Sequence, residues 1–95
     1  MAVYMIFNER VTDSAAFDTY RQQAGPMIAR YGGKFLVRGG TVTTLEGDPG
    51  LHRVVIIEFA DMAAARAFYY GDYQKLIPLR QAASKGRMFL VDGAK

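Results

Sequence analysis

The chain has 95 residues, 51% of them hydrophobic, and 12 basic against 9 acidic residues give it a formal net charge of +3. That length supports a single domain, taken as residues 1–95, with a core but a thin margin of stability. Cysteine is absent, which excludes disulfides, thiol catalysis and thiolate metal sites, and the charges are interspersed rather than blocked, which argues against a nucleic-acid stripe.

MAVYMIFN (1–8) reads as a strand, with Val3, Met5 and Phe7 on one side and Tyr4 and Ile6 on the other. Thr12-Asp13-Ser14 then supplies N-cap chemistry for a helix along AAFDTYRQQAGPMIARYGG. Phe17, Tyr20, Ala24, Met27, Ile28 and Tyr31 form one apolar stripe on that helix. Pro26 removes one internal hydrogen bond and is expected to kink the helix without ending it, because the stripe resumes in phase. Gly32-Gly33 ends it.

KFLVRGGTVTTL (34–45) reads as a second strand, and its central glycine pair suggests a bulge or a close backbone approach. The turn cluster EGDPG (46–50) joins it to LHRVVIIEFA (51–60), making a hairpin. This third strand is again apolar on both sides, with Val55, Ile57 and Phe59 against Val54 and Ile56. Asp61 caps a second helix, MAAARAFYY, which Gly71 stops. Asp72 opens a further helical piece, YQKLIPLRQAAS, that Pro78 bends, and GRMFLVDG (86–93) is the fourth strand.

The order is βαββαβ. With right-handed crossovers it predicts an α+β, ferredoxin-like fold: a four-stranded antiparallel sheet, strands one and three central, both helices on one face. Strands that are apolar on both faces need cover on both faces, and the helices supply one. The other must be closed by a second copy of the chain, by a ligand, or by both.

Tyr20, Pro26, Gly32-Gly33, Arg38-Gly39-Gly40, Glu46-Gly47, Arg53, Glu58-Phe59, Ala65, Tyr73-Gln74, Arg80 and Asp92-Gly93 carry a further signal. In this order and spacing the chain resembles the domain-of-unknown-function 1330 family, of the dimeric α/β-barrel superfamily. No single motif among them is specific, but together they span almost the whole chain. The resemblance implies a ferredoxin-like monomer whose open sheet face packs on its twin. It implies no established reaction, since superfamily relatives include cofactor-free oxygenases, isomerases, haem enzymes and ligand-binding modules.

Glu58, on the same strand face as Val54 and Ile56, is one candidate for catalysis, and Arg80 is the other. If the hairpin pairs Leu45 with Leu51, Arg38 lies across from Glu58, as a structural ion pair or as the anchor of a poised carboxylate. A bulge at Gly39-Gly40 would turn Arg38 to the other face. Tyr73 and Arg80, seven residues apart, share a helix face if the helix is continuous. Arg80 offers a bidentate fork to a carboxylate, or anchors the helix end. Tyr20 and Tyr73 each combine an apolar ring with a hydroxyl, for packing or for a pocket.

His52 is the only histidine, and alone it makes no transition-metal site. No nucleophile-elbow, P-loop or dinucleotide-binding glycine fingerprint occurs. The topology also suits an RNA-recognition module, but the aliphatic surface and central carboxylate of the third strand suit a protein interface and not a polyanion, so no nucleic-acid partner is expected. The apolar runs are too short for a membrane span, and the first residues lack the pattern of a secretion signal, so the expected setting is the cytoplasm.

The expectation is therefore a homodimer with a pocket lined by Tyr20, Arg38, Glu58, Tyr73 and Arg80. That pocket would bind a small anionic or aromatic metabolite without metal or cofactor, with a cofactor-free proton transfer or oxygenation as its chemistry. The alternative is a non-catalytic dimeric module whose polar cluster serves folding and assembly only.

Overall fold

The computed structural model describes residues 1–48, 50 and 53–94. Four strands, β1 (Val3–Val11), β2 (Lys34–Arg38), β3 (Arg53–Phe59) and β4 (Ser84–Asp92), form one antiparallel sheet in the order β2-β3-β1-β4. The helices are α1 (Ser14–Arg30), α2 (Met62–Tyr70) and α3 (Ile77–Ala83), with a 3₁₀ turn at Asp72–Lys75. The expected ferredoxin-like arrangement holds, with β1 and β3 in the centre.

Strand parity sorts the side chains. Val3, Met5, Phe7 and Glu9 of β1 stand opposite Phe59, Ile57, Val55 and Arg53 of β3. All but Arg53 are buried, in one cluster with Phe17, Tyr20, Ala24 and Ile28 of α1 and Ala65 and Phe68 of α2. The alternate residues Tyr4, Ile6, Val54 and Ile56 are only half-buried, and Val37, Phe89 and Val91 beside them are exposed.

Caps place the helices. The Asp13 carboxylate accepts from the Ala16 N–H at 3.1 Å, and that of Asp61 accepts from the Ala64 N–H at 2.8 Å. α1 runs through Pro26 to Arg30, and Gly32, at φ 81°, follows its end. The single helical piece expected after Asp72 is instead a 3₁₀ turn and a short helix. Pro78 lacks an N–H and can start α3 but cannot continue the preceding turn.

Three boundaries differ from expectation. β1 reaches Val11 rather than Asn8, and β4 starts at Ser84 rather than Gly86, because the two pair without interruption from Val3–Asp92 to Val11–Ser84. β2 ends at Arg38, well short of Leu45. There Gly39 takes φ 77°, and a Cβ on it would stand 2.7 Å from Arg53 Nε. The expected partners Leu51 and His52 lie outside the described residues.

A further difference concerns Arg38. β2 is bulged between Phe35 and Val37, not at the glycine pair. Lys34 therefore stands opposite Glu58, and Arg38 stands opposite Val55. The expected Arg38–Glu58 pairing does not form. The extra residue, Leu36, brings Phe35 and Arg38 onto the same, helix-covered face, where strict alternation would separate them.

Candidate functional site

Beneath α1, the sheet and the helices enclose a cavity of about 40 Å³. Phe7, Phe17, Tyr20, Phe35, Phe68 and Tyr73 supply aromatic walls, and Arg21, Arg38 and Arg53 supply the cations. A groove of about 390 Å³ adjoins it between α1 and β2, sharing Arg21, Gly25, Phe35 and Arg38 with the inner cavity. The inner space has the volume of a few waters, and the outer groove that of a small-molecule site.

The buried polar groups form two clusters. In the first, the Tyr20 and Tyr73 hydroxyls lie 2.5 Å apart, and Arg80 Nη1 donates to the Tyr73 hydroxyl at 2.9 Å. Arg80 is held over the Phe7 ring, 5.2 Å from its centroid, while the Ser84 hydroxyl donates to its carbonyl at 3.0 Å. The continuous helix on which Tyr73 and Arg80 were expected to share a face is broken at Leu76, yet the two side chains meet across the break. Burial pushes both tyrosine hydroxyls above their ordinary range, so they stay protonated hydrogen-bonding groups.

In the second cluster, Arg53 Nη1 donates to Glu9 Oε1 at 2.6 Å, with the guanidinium 5.2 Å from the Phe17 ring centroid. Glu9 is 0% exposed, and its Oε2 has no partner among the described residues. Burial raises the Glu9 pKa, and the Arg53, Arg80 and Arg21 charges oppose that rise. The sequence reading passed over Glu9 because it ended the strand at Asn8. One more step of the Val3-Met5-Phe7 alternation lands on Glu9, so parity carried the signal. Arg53 entered only as a position of family resemblance.

Tyr20, Tyr73 and Arg80 therefore meet in the core, and Arg38 stands at the mouth of the cavity. Glu58 does not join them. It projects from the opposite face of the sheet, opposite Tyr4 of β1 and Lys34 of β2, and its carboxylate raises the Tyr4 pKa. Among the described residues no group of three or more His, Asp or Glu is placed to hold a metal, and no helix is long and apolar enough to cross a membrane.

An antiparallel β2-β3-β1-β4 sheet with helices on one face is the fold of the dimeric α/β-barrel proteins. Within that class the chain belongs to the family of the domain of unknown function DUF1330, whose profile matches residues 2–94. A protein of unknown function from Rhodopseudomonas palustris has a similar structure, with a TM-score of 0.80 and 24% identity over 99% of this chain and 83% of that one. SnoaB, a cofactor-independent oxygenase from Streptomyces nogalater, superposes with a TM-score of 0.66 and 17% identity over 99% of this chain and 94% of its own. An antibiotic biosynthesis monooxygenase gives 0.55 and 15% identity over 100% of both chains. At these identities the likeness is one of fold. No protein of curated function matches the sequence.

Proposed function

We propose that the cleft between α1 and the sheet binds a small anionic or aromatic metabolite, and that the chain works as a homodimer closed through its open sheet face. The observation that carries the first part is the composition of the cleft. Six aromatic rings and three guanidiniums line it, and the nearby carboxylate, Glu9, is already held by Arg53. Such a surface offers stacking and positive charge together, which suits a ring bearing a negative group. Tyr20, Tyr73, Arg21, Arg38 and Arg53 are its polar residues, and Arg80 supports it from behind through the Tyr73 hydroxyl.

A cofactor-free reaction of the oxygenase or isomerase kind is the enzymatic form of this reading. The fold shared with SnoaB supports it, and so does the buried Glu9, whose pKa burial raises. Glu58 and the open face belong to assembly instead. Ile6, Val54, Ile56, Phe89 and Val91 make an apolar strip that a second copy would cover. The cysteine-free composition fits a cytoplasmic setting.

Thermal denaturation against a panel of aromatic acids tests the binding site. A ligand present at about 100 times its Kd should stabilise the fold by about 2.7 kcal/mol, a shift of about 10–20 °C. Absence of any shift across the panel would leave the polar clusters a role in folding and assembly alone. Sedimentation at micromolar concentration tests the dimer, and a stable, well-folded monomer would refute it.

A further inference from the structure

Of the three guanidiniums that line the cleft, two already have carboxylates: Arg53 holds Glu9 at 2.6 Å, and Arg21 holds Asp18 at 2.5 Å. Arg38 has no carboxylate partner among the described residues. Its position is nevertheless built rather than accidental. The bulge at Leu36 turns Arg38 from the open face to the helix-covered face, and its guanidinium then lies 4.1 Å from the centroid of the Phe35 ring. Bulges are a recurrent means of re-aiming one side chain beside a site.

On the opposite wall, α1 carries a glycine in its interior, a residue that weakens a helix relative to alanine. A Cβ at Gly25 would stand 3.2 Å from Arg38 Nη2, tighter than an ordinary contact. Glycine there leaves the guanidinium its full berth. The Phe35–Arg38 stack also sits where the inner cavity and the outer groove meet, since both residues line each of them.

We infer that Arg38, seated on Phe35 by the β2 bulge and cleared by Gly25, is the carboxylate-recognising residue of the cleft, so that its ligands are monocarboxylic acids with an apolar or aromatic body. This rests on the cleft being a ligand site. The acid group meets Arg38 at the junction, with its two oxygens matched to the guanidinium fork, and the body lies along Phe35, Pro26 and Ala29 of the groove. Exposure of Arg38 keeps it free of the desolvation cost that burial of an unpaired charge would bring. The acid therefore gains both the pairing and the stacked ring behind it.

The test uses matched pairs, 1-naphthoate with 1-naphthamide and phenylacetate with phenylacetamide, titrated into the purified chain and followed by NMR chemical-shift changes. The acids should bind at least about tenfold more tightly than their amides. Arg38→Ala should erase that preference while the amides bind as before. Gly25→Ala should move affinity and stability in opposite directions, weakening the acids severalfold while raising the melting temperature. Equal binding of acid and amide by the unaltered chain, or a preference that survives Arg38→Ala, overturns the assignment of Arg38 and leaves the cleft a ligand site. If none of the four compounds binds, the reading of the cleft falls, and the assignment with it.

Discussion

Neighbouring residues along β1 and β3 meet opposite surroundings. Val3, Met5, Phe7 and Glu9 lie under the helices, none more than 5% exposed, whereas Tyr4, Ile6 and Asn8 between them are only half-buried. The covered face holds the Glu9–Arg53 pair and the Tyr20–Tyr73–Arg80 chain of hydrogen bonds; the open face holds Glu58 with Tyr4 and Lys34 as cross-strand neighbours. Low dielectric explains the difference in consequence. A polar group on the covered side must be satisfied internally, while one on the open side of an isolated chain is served by water.

The sharpest way to break that contrast is Glu9→Ala. It leaves Arg53 without its counter-charge in a site that is only partly open, and unfolding by denaturant should show a loss of about 3–5 kcal/mol. Tyr73→Phe comes next. It strands the Tyr20 hydroxyl and leaves Arg80 Nη1 only Met88 Sδ as a partner, at a cost of about 1–3 kcal/mol. On the open face, Glu58→Gln should change monomer stability by less than about 0.5 kcal/mol. Ile56→Asp, by contrast, should leave the fold intact and shift sedimentation from dimer to monomer. The exposed pair within α1 is the smallest case, since Asp18→Ala should cost about 0–1 kcal/mol.

Glu9 also makes the contrast sensitive to pH. Its folded-state pKa lies above the unfolded one, so between the two values the folded chain binds more protons than the unfolded chain. Stability contributed by the protonated form is full below the unfolded pKa and is lost as pH rises through the folded one. Denaturation across that window should show the decline, and Glu9→Gln should flatten it.

What could be read from the residues alone follows the same division. Alternation in VYMIF and VVIIEF named the central strands and both of their faces, because a period of two survives any tertiary context. Asp13 and Asp61 marked the helix starts because capping is a contact over three residues. Tyr20 was legible as a hydroxyl on the apolar stripe of α1, and Tyr73 and Arg80 by their seven-residue spacing, although nothing local says that their hydroxyls and guanidinium touch. Glu58 was misplaced for a different reason. Its face was read correctly, but the pocket was assigned to that face through an assumed pairing with Arg38.

The pattern of polar and apolar residues thus determined the elements and the two apolar faces of the central strands, which follow from spacing within a single element. Topology and strand order followed once right-handed crossovers were applied to that order of elements. The register of β2 against β3 was decided only by the folded chain, and with it the turn of Arg38 onto Phe35; the pairing of Glu9 with Arg53 came from the register of β1 against β3. One inserted residue, Leu36, reverses the side on which everything after it points. Where such a residue is accommodated depends on packing between distant segments, which no local sequence pattern encodes.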